Sequence, residues 1–183
     1  MIRKLFAIAA IAALVLPVTV VQAQVGFGVA GGYSKPMGDF NKIAESGYHV
    51  SGLLNIGIPL APIGFRVEGT FSEFDYKGAL SANGAKARIL SATGNAILST
   101  PGLLGPYFIG GLGIYRATAE CSTCNTSSTK VGFNGGAGFK VGLAGLAVFI
   151  EARYHYIPGD SAPTTAGVKS STQFIPVSVG ITF

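Results

Sequence analysis

Several groups of residues have types and spacings that could do chemistry. His49-Val50-Ser51 sets a base and a nucleophile two apart, which suits acyl transfer if a carboxylate orients the imidazole. Cys121-Ser-Thr-Cys124 could form a disulfide, hold a metal or carry redox chemistry. Gly26-Phe-Gly28-Val-Ala-Gly31 has the glycine spacing of a dinucleotide-binding turn. Arg66-Val-Glu68 and Glu151-Ala-Arg153-Tyr-His155 place ionisable groups at alternate positions, so each set shares one face of an extended strand. What any of these can do depends on the elements that carry them.

Composition fixes the kind of element. Only 11% of residues are charged, 27 are glycine and none is tryptophan. Arg3 and Lys4 precede an apolar run from Leu5 to Val21, and Val21-Gln22-Ala23 has the small residues that signal peptidase accepts. We therefore expect residues 1–23 to be a cleaved signal peptide and residues 24–183 to form one domain. Arg3 and Lys4 account for two of the net +5 charges, and the remainder is too scattered to argue for a nucleic-acid partner. Beyond the leader no apolar run is long enough for a membrane helix, so the hydropathy must reside in strands. Strands can span lipid only as a closed barrel, because every backbone polar group must be satisfied within the protein.

Eight segments of alternating polarity follow: Val25–Lys35, Tyr48–Ile58, Gly64–Phe74, Ala87–Leu98, Pro106–Arg116, Val131–Leu143, Ala147–Ile157 and Thr172–Phe183. Each has the length of a tilted membrane strand. Long connections (Pro36–Gly47, Asp75–Lys86, Ala117–Lys130, Pro158–Ser171) alternate with short ones (59–63, 99–105, 144–146). This pattern predicts an all-β fold, an eight-stranded antiparallel up-and-down transmembrane β-barrel with its long loops at one end.

The period of two assigns faces. In the sixth segment Val131, Phe133, Ala137, Phe139, Val141 and Leu143 are expected to face lipid, and Asn134, Lys140 and the alternate glycines to face the lumen. In the seventh, Val148, Ile150, Tyr154 and Tyr156 point out and Glu151, Arg153 and His155 point in. The fifth is ambiguous because both faces are apolar, and we assign Tyr107, Ile109 and Tyr115 outward. An aromatic girdle then forms from Tyr33, Tyr48, Tyr115, Tyr154 and Tyr156 at the loop ends, with Phe65, Tyr107 and Phe183 at the turn ends. The inward polar set is Asn55, Arg66, Glu68, Ser91, Thr93, Asn95, Asn134, Lys140, Glu151, Arg153 and His155. The third and seventh strands lie opposite each other in a ring of eight, so Arg66 and Glu68 can meet Glu151 and Arg153 across the lumen.

Phe149-Ile-Glu-Ala-Arg-Tyr-His-Tyr-Ile157, Pro106-Tyr-Phe-Ile-Gly-Gly-Leu-Gly-Ile-Tyr-Arg116 and the alternating closing segment ending on Phe183 resemble the small outer-membrane β-barrel proteins of the OmpA/OmpX-like, porin-family superfamily. The resemblance covers essentially all of residues 24–183. It implies residence in the outer membrane of a Gram-negative bacterium, contact with lipid and lipopolysaccharide, and recognition of the terminal Phe183 by the barrel-assembly machinery. The OmpA pattern adds a peptidoglycan-binding domain after the barrel, which is not expected here.

On this fold the candidate chemistries rank differently. The glycine motif runs on into Gly32-Tyr-Ser-Lys-Pro36 without a helix, so it reads as small residues making room in a narrow barrel and implies no cofactor. Cys121 and Cys124 lie in the third long loop with no histidine there, and a local disulfide is the default for an exported chain. The His49 and Ser51 pair would face the lumen, with the inward carboxylate Glu68 off its level. The ionic set reads first as a structural salt-bridge core and second as a gate. The leading expectation is a non-enzymatic barrel with a plugged lumen whose extracellular loops serve surface interaction with an unidentified ligand, or envelope integrity. A small porin-like channel is the alternative, followed by a hydrolase and by a soluble lipocalin-like carrier with inverted faces.

Overall fold

The computed structural model describes residues 24–58, 61–78, 86–100, 102–121, 124–143, 145–159 and 171–183. For residues 24, 119–121 and 124–126 it describes the backbone alone. The expected signal peptide therefore lies outside the described residues.

Eight strands, β1 (Gln24–Met37), β2 (Gly47–Gly57), β3 (Ile63–Asp75), β4 (Lys86–Ser99), β5 (Leu104–Cys121), β6 (Cys124–Leu143), β7 (Leu146–Ile157) and β8 (Thr172–Thr182), form one closed antiparallel barrel in chain order. Closure is made by β1 and β8, in register from Gly28↔Thr182 to Met37↔Gln173. Phe27 and Phe183 extend this seam by exchanging backbone hydrogen bonds of 2.9 and 2.8 Å. The ring thus has no free edge within the membrane-spanning stretch. No described helix is long and apolar enough to cross a membrane.

The short connections are tight for local reasons. Leu143↔Leu146 is the last pair of the β6–β7 hairpin, and Gly145 takes φ 84, a conformation a side chain would strain. At the opposite end, the first long connection contains a single helical turn, α1 (Phe40–Ile43). It is tied to the end of β3 by the Ala44↔Tyr76 bridge and by backbone bonds from Glu45 to Asp75 and from Lys77 to Ile43. Outside the barrel, Asp39 accepts a 2.7 Å bond from Lys42, and this pairing raises the lysine's pKa above its ordinary value.

Two expectations are corrected. The third long loop, Ala117–Lys130, is mostly strand: β5 and β6 stay in register from Arg116↔Thr129 to Cys121↔Cys124. Thr118, Thr126 and Thr129, with no proline between Ala117 and Lys130, let the ladder continue, so a hairpin replaces the open loop. The second correction concerns the face of β5. Tyr107, Ile109 and Tyr115 are 3%, 4% and 1% exposed and point into the lumen, whereas Phe108 and Leu112 are each 65% exposed on the outside. Tyr107 and Tyr115 are therefore not girdle residues. Each phenol finds a polar partner inside, and the glycines of β6 leave space for the rings: Tyr107 pairs with Gly138, and the Tyr115 ring lies over Gly132.

The remaining girdle positions do lie outside. Tyr33 and Tyr48 are exposed and directly opposite in the β1–β2 ladder. Tyr154 is outward and donates to Gln173 Oε1 at 2.9 Å, Tyr156 stacks on Phe133 at 5.0 Å, and Phe65 and Phe183 are exposed at the turn end. Between these levels the outer surface is Val, Leu, Ile, Phe, Ala and Gly, a band that only lipid would cover stably.

Candidate functional site

The inward side chains of β3 read upward from the turn end as Arg66, Glu68, Thr70, Ser72 and Phe74, and they sort the lumen into layers. Charge comes first, then hydroxyls and imidazoles, then aromatic rings.

In the charged layer Arg66 Nη1 donates to Glu151 Oε2 at 2.8 Å, and Arg153 Nη2 donates to Glu68 Oε1 at 2.5 Å. Both bonds cross the full width of the barrel between β3 and β7. Arg153 Nε lies 2.7 Å from Glu151 Oε1, close enough for charge attraction although its N–H is not aimed at the oxygen. Arg66 and Glu68 complete the ring at 3.9 Å. Two cations and two anions alternate, so the layer is neutral. Removing four charges from water is costly, and the layer persists because each partner compensates another. Tyr107 donates to Glu151 Oε2 at 2.7 Å, and Arg66 Nε donates to Asn55 Oδ1 at 2.8 Å. The Arg66 guanidinium lies 5.0 Å from the Phe149 ring centre, and Asn134, Asn95 and Thr93 form a hydrogen-bonded chain beside it.

Above it, His49 has Ser34 Oγ at 2.9 Å from Nδ1 and Ser178 Oγ at 2.8 Å from Nε2. Ser51 Oγ has no protein partner and does not engage His49. The two residues of the nucleophile-and-base pattern are thus both buried in the lumen but are not brought together. His155 Nδ1 is 3.0 Å from the Tyr115 hydroxyl. The space between His49, His155, Glu68 and Arg153 is about 10 Å3, room for about one water.

An apolar cluster lies toward the loop end. Phe40 from α1 meets Phe74 edge-on at 5.1 Å, Phe74 meets Phe174 at 5.6 Å, and Phe174 stacks on His155 at 4.9 Å. Ile89, Ile157, Ala44 and Ala87 fill around them. Sequence reasoning missed Phe40 because it sits in one helical turn of a loop, with no periodicity to mark it. Phe74 and Phe174 were legible as inward by parity.

Lys140 stands apart from the ionic ring. It faces the lumen near the turn end, where its Nζ is 3.4 Å from Ser99 Oγ. Among the described residues no group of three or more His, Cys, Asp and Glu could hold a metal. Cys121 and Cys124 are a register pair, but their side chains lie outside the described residues, so the expected disulfide does too.

A sealed ring of eight strands with an apolar exterior, aromatic levels at both ends and charge locked inside defines an integral outer-membrane β-barrel. The family of the outer membrane protein beta-barrel domain matches residues 6–183, and the chain belongs to it. The protein resides in the outer membrane. Among solved structures it is similar to Neisserial surface protein A, at 16% identity and TM-score 0.62, covering 86% of this chain and 95% of that one. It is also similar to the N-terminal β-barrel domain of Pseudomonas aeruginosa OprF (14%, 0.51, 88% and 100%). Ail, the attachment invasion locus protein of Yersinia pestis, solved with the heparin analogue sucrose octasulfate, is similar at 12% and 0.50, covering 87% and 99%. At these identities the likeness is one of fold. No curated protein matches the chain in sequence.

Proposed function

We propose that the protein is a non-enzymatic surface scaffold: a barrel whose lumen is plugged and whose loop end engages an extracellular partner. The observation that supports this reading is the stack of ionic ring, imidazole layer and aromatic cluster, whose side chains meet across the lumen. A side-chain-filled interior is what an eight-stranded ring accommodates. Conductance of the refolded protein in planar bilayers tests it. Silence is expected, and stable unitary steps would favour the small-channel alternative.

The β5–β6 hairpin is the best-formed recognition element at that end. β6 pairs with β7 only from Phe133 onward, so the β5–β6 hairpin reaches beyond β7 at this end. A disulfide between Cys121 and Cys124 would staple the hairpin tip, and we propose it on their register and the exported location. Arg116 stands on the outer face of β5 just beyond the lipid-facing Ile114, where lipopolysaccharide phosphates would lie, whereas Arg88 on β4 donates to Glu73 Oε2 at 2.8 Å. Removal of residues 1–23 as a signal peptide and reading of Phe183 by the assembly machinery complete the proposal.

A hydrolase is not favoured, because both His49 nitrogens are engaged by Ser34 and Ser178, and among the described residues no carboxylate is hydrogen-bonded to the ring.

A further inference from the structure

The turn end of the lumen opens into a space of about 890 Å3 that extends over the rim past Val25, Phe65 and Leu146, and the proposed surface role does not use it. The cavity exists because the inward wall positions there have little or no side chain: Gly26, Gly64, Gly142 and Ala147 stand where longer residues would fill the ring. Its roof is the layer of Arg66, Tyr107 and Phe149.

The charged side chains that line this cavity are both cationic. Arg66 and Lys140 line it, and no described lining residue has a carboxylate side chain. Arg66 is committed to Glu151 and Asn55. Lys140 is half-buried, with the Ser99 hydroxyl as its described contact at a long 3.4 Å. Glu151 and Glu68 are bound within the ionic ring, so neither is available to it. A half-buried ammonium in a walled space, without a counter-ion among the described side chains, is an unmet demand for an anion. Around it the surface is apolar, from Ile97, Leu103 and Phe149.

We propose that this cavity binds a small anionic amphiphile from the periplasmic side, its carboxylate on Lys140 and its apolar part against Ile97, Leu103 and Phe149. The plug above makes the site a cup that loads and empties through one mouth.

The test uses the refolded full barrel in lipid nanodiscs, titrated with octanoate and followed by the amide resonances of Gly26, Gly105 and Gly142. Saturable shifts are expected, with affinity falling tenfold or more in Lys140→Gln and returning in Lys140→Arg. Heat-modifiable migration verifies that each variant is folded. Octan-1-ol and inorganic phosphate, titrated separately, should each bind at least tenfold more weakly than octanoate. Equal binding of octan-1-ol would overturn the role of Lys140, and equal binding of phosphate would overturn the apolar half of the site. Non-saturating octanoate shifts, or a folded Lys140→Gln that binds like wild type, would overturn the proposal entirely.

Discussion

Arg66 on β3 and Glu151 on β7 meet at 2.8 Å although their strands lie opposite each other in the ring. The bond is a strut across the full lumen, and its register follows from the period of two in each strand. Glu151→Ala would leave Arg66 and the Tyr107 hydroxyl facing an empty site. We expect a loss of about 3–5 kcal/mol, the usual result of breaking a buried pair. The pair's coupling in a cycle with Arg66→Met should fall toward the upper end of about 0.5–3 kcal/mol. Urea unfolding in lipid vesicles measures both. Additive single-site effects would remove the strut from the account.

Aromatic rings in the lumen are accommodated by glycines on the neighbouring strand. A side chain at Gly138 would collide with the Tyr107 ring, whereas one at Gly135 would meet nothing nearer than the Ile109 carbonyl at 3.9 Å. Gly138→Val should therefore cost about 1–3 kcal/mol through overpacking. Gly135→Val should be neutral or slightly stabilising, and comparing their unfolding midpoints checks this. Equal tolerance at both positions would mean that Tyr107 is not packed inward.

The face of β5 can also be tested from outside. Leu112→Arg places a charge on the lipid side, at an expected cost of about 2–4 kcal/mol if the position is near mid-depth. Folding yield into vesicles should drop sharply. An unchanged yield would return Leu112 to the lumen.

That strand shows where the sequence was legible and where it was not. β6 and β7 declare their faces because charge and glycine occupy one parity and large apolar groups the other. In β5 both parities are apolar, since an inward tyrosine is hydrophobic over its ring and polar only at the hydroxyl. Gly111 and Gly113 share the parity of Tyr107 and Tyr115, repeating the inward glycines of β6, and that signal would have given the right face. The extended hairpin was hidden because Thr and Ser suit loops and strands alike. The ionic partners were readable from strand order and parity. Phe40 was not, because its position depends on how a loop folds back.

Tyr33 and Tyr48 face each other across β1 and β2 at the loop level. A double-alanine cycle should return a coupling of about 0.2–1 kcal/mol, the range for cross-strand pairs. Zero coupling would mean that the rings act independently in the interface.

The central claim is a lumen closed between its two mouths, and cysteine accessibility tests it most directly. In a Cys121→Ser, Cys124→Ser background, Ser99→Cys samples the turn-end cavity and Ser51→Cys samples the buried imidazole layer. A charged maleimide should modify Ser99→Cys from the turn side only and leave Ser51→Cys unmodified from either side until the barrel is unfolded. Rapid labelling of Ser51→Cys in the folded protein from the loop side would contradict the plugged barrel.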